Sequence, residues 1–143
     1  MRRTFLLLTL SLFTFGCSGQ THADRLVTVV TSPDPQTQLM AMVLTMQALR
    51  QGATVDLLLC GPAGDLALAA PPASATAPQP PRDMSPQGLM QSIMDAGASV
   101  SVCAIYLPGR GESREVLLEA VEVAAPDVMA ATMMAPDVRV WSF

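Results

Sequence analysis

Two stretches of the chain follow one plan, and together they restrict the fold more than any other feature. In the first, Asp34-Pro35 opens a run in which Leu39, Met42, Val43, Met46 and Leu49 recur at helical spacing; Gly52 closes it, and "ATVDLLLC" runs on to Cys60. In the second, Ser85-Pro86 opens a run carrying Leu89, Met90, Ile93 and Met94; Gly97 closes it, and "ASVSVC" reaches Cys103. An aspartate or serine caps the orphan N–H groups of a first turn, and proline loses nothing at the first helical position. Glycine suits the left-handed stop. Each stretch therefore predicts an amphipathic helix followed by a buried strand that ends in cysteine.

The rest of the chain continues the alternation. "RLVTVVTS" from Arg25 is a short β-branched strand ending at Ser32-Pro33, and "DVRVWSF" is a final strand. Gly61-Pro62 breaks the strand before it, a short helical patch follows, and "AAPPASATAPQPP" is too rich in proline for ladder or helix, so it predicts a loop or disordered insertion over 71–82. Ser113 caps a predicted helix with Val116, Leu117, Ala120 and Val121 on its apolar side and Glu115 in its first turn, and Pro126 interrupts it. "VMAATMM" fits either a short helix or a strand. A chain of 143 residues, half of them apolar, has the material for one core. The expectation is a single three-layer α/β/α domain over 24–143, with a mainly parallel sheet of about five strands and a flavodoxin/Rossmann-like build.

Residues 1–23 have a different character. "MRRTFLLLTLSLFTFGCSG" has a basic start, an apolar run from Phe5 to Phe15 and then small residues, the order of a secretory signal. The run is well short of the ~20 residues a spanning helix needs. Cys17 after Gly16 fits the lipidated cysteine of a bacterial lipoprotein, with Thr14 standing where leucine is usual; cleavage after Ala23 by an ordinary signal peptidase is the competing reading. Both predict an exported, periplasmic protein, and the first adds a lipid anchor at the cell envelope.

Charge and residue inventory exclude several functions. The chain has no lysine, which removes a Schiff base and a phosphate-loop lysine. Its net charge of −4 becomes more acidic once Arg2 and Arg3 of the leader are set aside, and such a surface repels nucleic-acid phosphates. His22, the only histidine, lies in the tether and is poorly placed for triad chemistry. "GPAG" and "GRGE" read as turns, since neither belongs to a nucleotide fingerprint.

Cys60 and Cys103 remain for the folded part. Open parallel sheets gather ligands beyond the carboxyl ends of their strands, where both cysteines are predicted. Each is a reactive thiol or a small buried residue. For Cys103 the following loop supplies Arg110, Gly111 and the start of the Ser113 helix, which favour thiolate; Glu112 and Glu115 oppose it. A disulfide between the two depends on strand order. With the first strand between theirs, as in a flavodoxin-like order, the backbones are ~9.5 Å apart, beyond the ~7 Å limit for closure.

From about Arg25 to Phe143 the chain resembles the DsrE/DsrF-like proteins, the group that includes sulfur-relay subunits of bacterial sulfur oxidation and tRNA thiolation. The likeness begins at "VTSPDPQTQ", continues through "RQGATVDLLLCG" and is sharpest at "VSVCAIYLPGRG". It implies a three-layer α/β domain that assembles as a dimer, trimer or hexamer. It also implies that Cys103 takes a persulfide sulfur from a donor protein and passes it to an acceptor thiol, with the arginine-glycine pair Arg110-Gly111 after it as in many members of the group. On the residues alone Cys60 is a candidate second thiol, and no cofactor is expected. The relay subunits of that group are cytoplasmic, so their donor and acceptor partners do not carry over to this chain. The alternative is a non-catalytic envelope module for binding or assembly. Thioethers such as Met40, Met42, Met46, Met90, Met94 and Met133-Met134 suit Cu(I), although methionines at helical spacing ordinarily fill core, and no dedicated metal site is evident.

Overall fold

The computed structural model describes residues 24–143. The readings made on 1–23, including export, Cys17 lipidation and the His22 tether, lie outside the described residues.

Five strands form one parallel sheet: β1 (Arg25–Val30), β2 (Thr54–Leu59), β3 (Ser99–Val102), β4 (Glu122–Val123) and β5 (Val138–Ser142), in the order β4-β3-β2-β1-β5. The helices are α1 (Pro35–Arg50), α2 (Ala73–Thr76), α3 (Pro86–Asp95), α4 (Tyr106–Arg110) and α5 (Pro126–Met133). Both predicted caps form. The Asp34 carboxylate accepts from the Thr37 N–H at 2.7 Å, and the Ser85 hydroxyl accepts from the Gly88 N–H at 3.1 Å. Gly52 and Gly97 follow the two helices at φ of +93° and +100°, which only glycine adopts readily.

The chain steps from β1 to β4 in one direction across the sheet and then returns to place β5 beyond β1. Right-handed crossovers put α1 and α3 on one face; reversal of direction puts α5 on the other, completing three layers. Register confirms the first face: Thr28, Leu57 and Val100 lie side by side, as do Val30, Leu59 and Val102, and all six are buried. Met42, Met90 and Ile93 pack over them from the helices. Burying a side chain of this size contributes about 2 kcal/mol. On the second face Val27 and Leu58 are buried, whereas Thr54, Ser99 and Glu122 are exposed.

Buried polar groups are satisfied and fix the packing. Thr45 on α1 gives its hydroxyl proton to the Ala41 carbonyl at 2.7 Å, so the 3.0 Å contact with Thr28 on β1 is filled by the Thr28 proton. The Gln87 amide on α3 donates to the carbonyls of Leu66 and Leu68.

The sequence expectations need correction at four places. Ser113 starts a single 3-10 turn, Arg114–Val116, rather than a helix; Leu117 instead forms an antiparallel bridge with Leu68, which holds the segment extended. Pro126 opens α5 rather than interrupting a helix, which resolves "VMAATMM" as helical. The proline-rich insertion contains a helical turn at Ala73–Thr76 and a bridge between Gln79 and Met84. The first strand does not separate β2 from β3: these pair directly, because α1 and α3 pack side by side on one face.

Candidate functional site

Direct pairing of β2 with β3 brings the two cysteines together. Each is the first residue beyond its strand: the Cys60 N–H donates to the Val30 carbonyl, and the Cys103 N–H donates to that of Leu59. Their Cα atoms are 5.1 Å apart and the sulfurs are joined as a disulfide. The expected separation of two strand spacings is thus overturned by strand order. In this state neither cysteine has a thiol to ionise. Both are half-buried.

Cys103 also marks the divergence of two neighbouring strands. The chain leaves β3 on the α1/α3 face, where Tyr106, Leu107, Leu117 and Val121 join the main core. It leaves β4 toward α5, on the opposite face. Ala124 still donates to the Val102 carbonyl at 2.9 Å, so the strands stay paired to their ends before parting. Such a switch point is where open α/β sheets form their binding crevice.

The segments following the two cysteines are clamped a second time. Cys60 leads into a 3-10 segment, Gly61–Ala67, that carries Asp65, and Cys103 leads into α4, which carries Tyr106 and Arg110. The Tyr106 hydroxyl donates to Asp65 Oδ1 at 2.7 Å, and Arg110 Nη1 donates to the same oxygen at 3.0 Å. Arg110 Nε reaches Glu112 at 3.4 Å, and its guanidinium lies 5.5 Å from the centre of the Tyr106 ring. Burial, then the hydrogen bond to Asp65, raises the Tyr106 phenol well above the ordinary tyrosine value. A Cβ placed on Gly64 would clash with that ring, so the close approach depends on the absence of a side chain there.

Placement of the sequence-named residues is mixed. Cys60, Cys103 and Arg110 all belong to this edge, but Arg110 engages two carboxylates, and the Ser113 helix start invoked beside Cys103 is a 3-10 turn. Asp65, Tyr106 and Gly64 were not singled out by the sequence. A lone tyrosine and a Gly-Asp pair acquire meaning only when strand order brings them together. Of the methionines, Met42, Met46 and Met90 are buried, whereas Met40 and Met134 are exposed. Among the described residues, no cluster of three or more histidine, cysteine or acidic side chains is placed to hold a metal, and no helix is long and apolar enough to cross a membrane.

No protein-family model and no curated protein matches the chain. Solved structures do. The ychN protein of E. coli superposes with a TM-score of 0.66 at 17% identity, covering 84% of this chain and 98% of that one. The protein of unknown function MTH1491 from Methanobacterium thermoautotrophicum gives 0.61 at 12% identity, covering 83% of this chain and 98% of that one. The conserved protein of unknown function BT1422 from Bacteroides thetaiotaomicron gives 0.60 at 12%, covering 87% and 98%. At these identities the likeness establishes the fold: a three-layer α/β arrangement of one parallel five-stranded sheet with helices on both sides.

Proposed function

We propose that this chain is an exported DsrE-like sulfur carrier working through Cys103, with Cys60 as its resolving thiol. The observation that carries the reading is the meeting of the two cysteines at the carboxyl ends of adjacent strands, beside the point where β3 and β4 diverge. In the reduced pair, the Cys103 thiolate attacks the outer sulfur of a donor persulfide. The donor's S–S bond breaks, the donor leaves as a thiolate with the electron pair, and Cys103 carries the added sulfur. An acceptor thiolate takes that outer sulfur by the same displacement and returns Cys103 as thiolate. When no acceptor arrives, the Cys60 thiolate attacks Cys103 Sγ, closes the disulfide and expels hydrosulfide; a thiol reductant then reopens the pair.

The clamp supports this cycle because Asp65, Tyr106 and Arg110 hold both segments when the S–S bond is open, so Cys60 stays within reach of Cys103. Arg110 thus acts by positioning. Ile105, two residues beyond Cys103 and 81% exposed, offers an apolar contact to a donor or acceptor protein. Exposed Val128, Met134 and Val140 give copies of the chain a surface for the homo-oligomer in this reading. Export, with or without the Cys17 anchor, rests on the leader sequence.

One observation favours the alternative, a non-catalytic envelope module: a half-buried closed disulfide is also what a structural crosslink looks like. Intact-mass analysis separates the two after the reduced protein has been treated with glutathione persulfide. In Cys60→Ser the mass rises by one sulfur atom, mapped to Cys103. Cys103→Ser stays unmodified, and the unaltered protein releases sulfide and ends as the disulfide. Absence of added sulfur on Cys103 in Cys60→Ser refutes the carrier and leaves the crosslink.

A further inference from the structure

A well-formed cavity lies away from the cysteines. It is a groove of about 540 Å³ between α1 and the proline-rich insertion, within the usual range for small-molecule sites. Its apolar lining comes from Leu39, Met40, Val43 and Met46 of α1, and from Met84 and Leu89 across from them. Met46 and Leu89 are buried, Leu39, Val43 and Met84 are half-buried, and Met40 is 53% exposed, so the groove has a packed floor and an open mouth.

Charge around this groove is the reverse of the molecule's. The chain has more acidic than basic residues, yet the lining contains Arg50 and Arg82 and no carboxylate. The other described arginines are engaged. Arg25 pairs with Asp137, Arg110 with Asp65 and Glu112, and Arg139 with Asp24, while Arg114 donates to the carbonyls of Glu119 and Val121. Among the described residues, Arg50 and Arg82 form no ion pair, and both border the same apolar space. Arg50, in the last turn of α1, also faces the negative end of that helix, which leaves Arg82 with the less compensated charge.

We propose that this groove binds a linear fatty acid, its chain along the apolar lining and its carboxylate at Arg82 and Arg50. An apolar tail needs a continuous apolar wall, and a single carboxylate answers guanidinium groups that have no acidic partner, in the forked geometry arginine favours. Two cations without an acid make the same space hostile to Cu(I), despite its thioethers. The proposal is independent of the cysteine chemistry.

Isothermal titration calorimetry of the purified protein with dodecanoate, dodecanol and dodecyltrimethylammonium tests it. Dodecanoate is expected to bind once per chain, about tenfold or more tightly than dodecanol, with the cation not binding. Added salt is expected to weaken the carboxylate and spare the alcohol. Arg82→Gln should remove most of that preference and Arg50→Gln a smaller part. Val43→Glu, with its fold checked by circular dichroism, should lose binding of both. Equal binding of acid and alcohol, indifference to Arg82→Gln, or no saturable binding overturns the proposal. Dodecanoate binding only as a dimer dissociates, seen by sedimentation, also overturns it and assigns the groove to a second copy.

Discussion

The segments leaving the two cysteines start from equivalent places and go opposite ways. After Cys60 two exposed residues, Gly61 and Pro62, lead the chain inward: Ala63, Gly64, Leu66 and Ala67 are all buried. After Cys103 it turns outward at first, with Ile105 and then Pro108 through Arg110 exposed, and only Tyr106 and Leu107 reach back into the core. Two similar αβ units thus deliver two half-buried cysteines, one followed by a largely buried 3-10 segment and the other by a short helix with an exposed end. The lesson is that a repeated local design fixes where a reactive group stands in a sheet, whereas the following residues decide which of two such groups a partner can approach.

The largest effect that bears on this contrast is loss of the bond joining the two segments. The cysteines are 43 positions apart, and the chain-entropy relation gives about 4 kcal/mol for a closed loop of that length. Urea midpoints of oxidised and reduced protein are expected to differ accordingly. Coincident midpoints would mean that the clamp alone holds the edge and that the bond is free for chemistry.

Two glycines give the next comparison. Gly64→Ala, on the inward path, forces a methyl against the Tyr106 ring and is expected to cost about 1–3 kcal/mol by overpacking. Gly109→Ala, on the outward path, meets nothing within 4 Å and should change stability by less than about 1 kcal/mol. Thermal denaturation of both variants measures the difference, and equal losses would abolish the distinction between buried and exposed paths.

The smallest effect is spectroscopic. Tyr106 is the only tyrosine, so ultraviolet titration of phenolate reports it alone. Its ionisation is expected above the ordinary value of 10 in the folded protein and near 10 in denaturant. The folded state retains the proton that the unfolded state loses. The resulting stability is therefore complete below the unfolded value and declines as pH rises through and beyond it. Asp65→Asn should move the folded midpoint downward. An unshifted midpoint in the unaltered protein would remove the phenol from the clamp.

Much of the fold was readable from local chemistry. The two capped helices, the first three strands and the last strand announce themselves through Asp34-Pro35, Ser85-Pro86 and β-branched runs, because these signals act within a turn or two of chain. β4 escaped, since two residues carry no periodicity, and α4 escaped because a five-residue helix that begins without a side-chain cap announces no start. Strand order was beyond reach for a different reason: right-handed crossovers are compatible with several orders, and only the lateral packing of α1 on α3 selects one. Both cysteines could be assigned to strand ends, but their adjacency and the partnership of Asp65 with Tyr106 follow from that order and from nothing local.

The hydroxyl pair of Thr28 and Thr45 has a consequence on the far side of its helix. Apolar layers tolerate rotation of a cylinder about its own axis, since one methyl serves nearly as well as the next. A two-proton relay anchored to the Ala41 carbonyl does not. It sets the roll angle of α1 against the sheet, and with it the directions in which Leu39, Val43 and Met46 present themselves to the solvent-side trough.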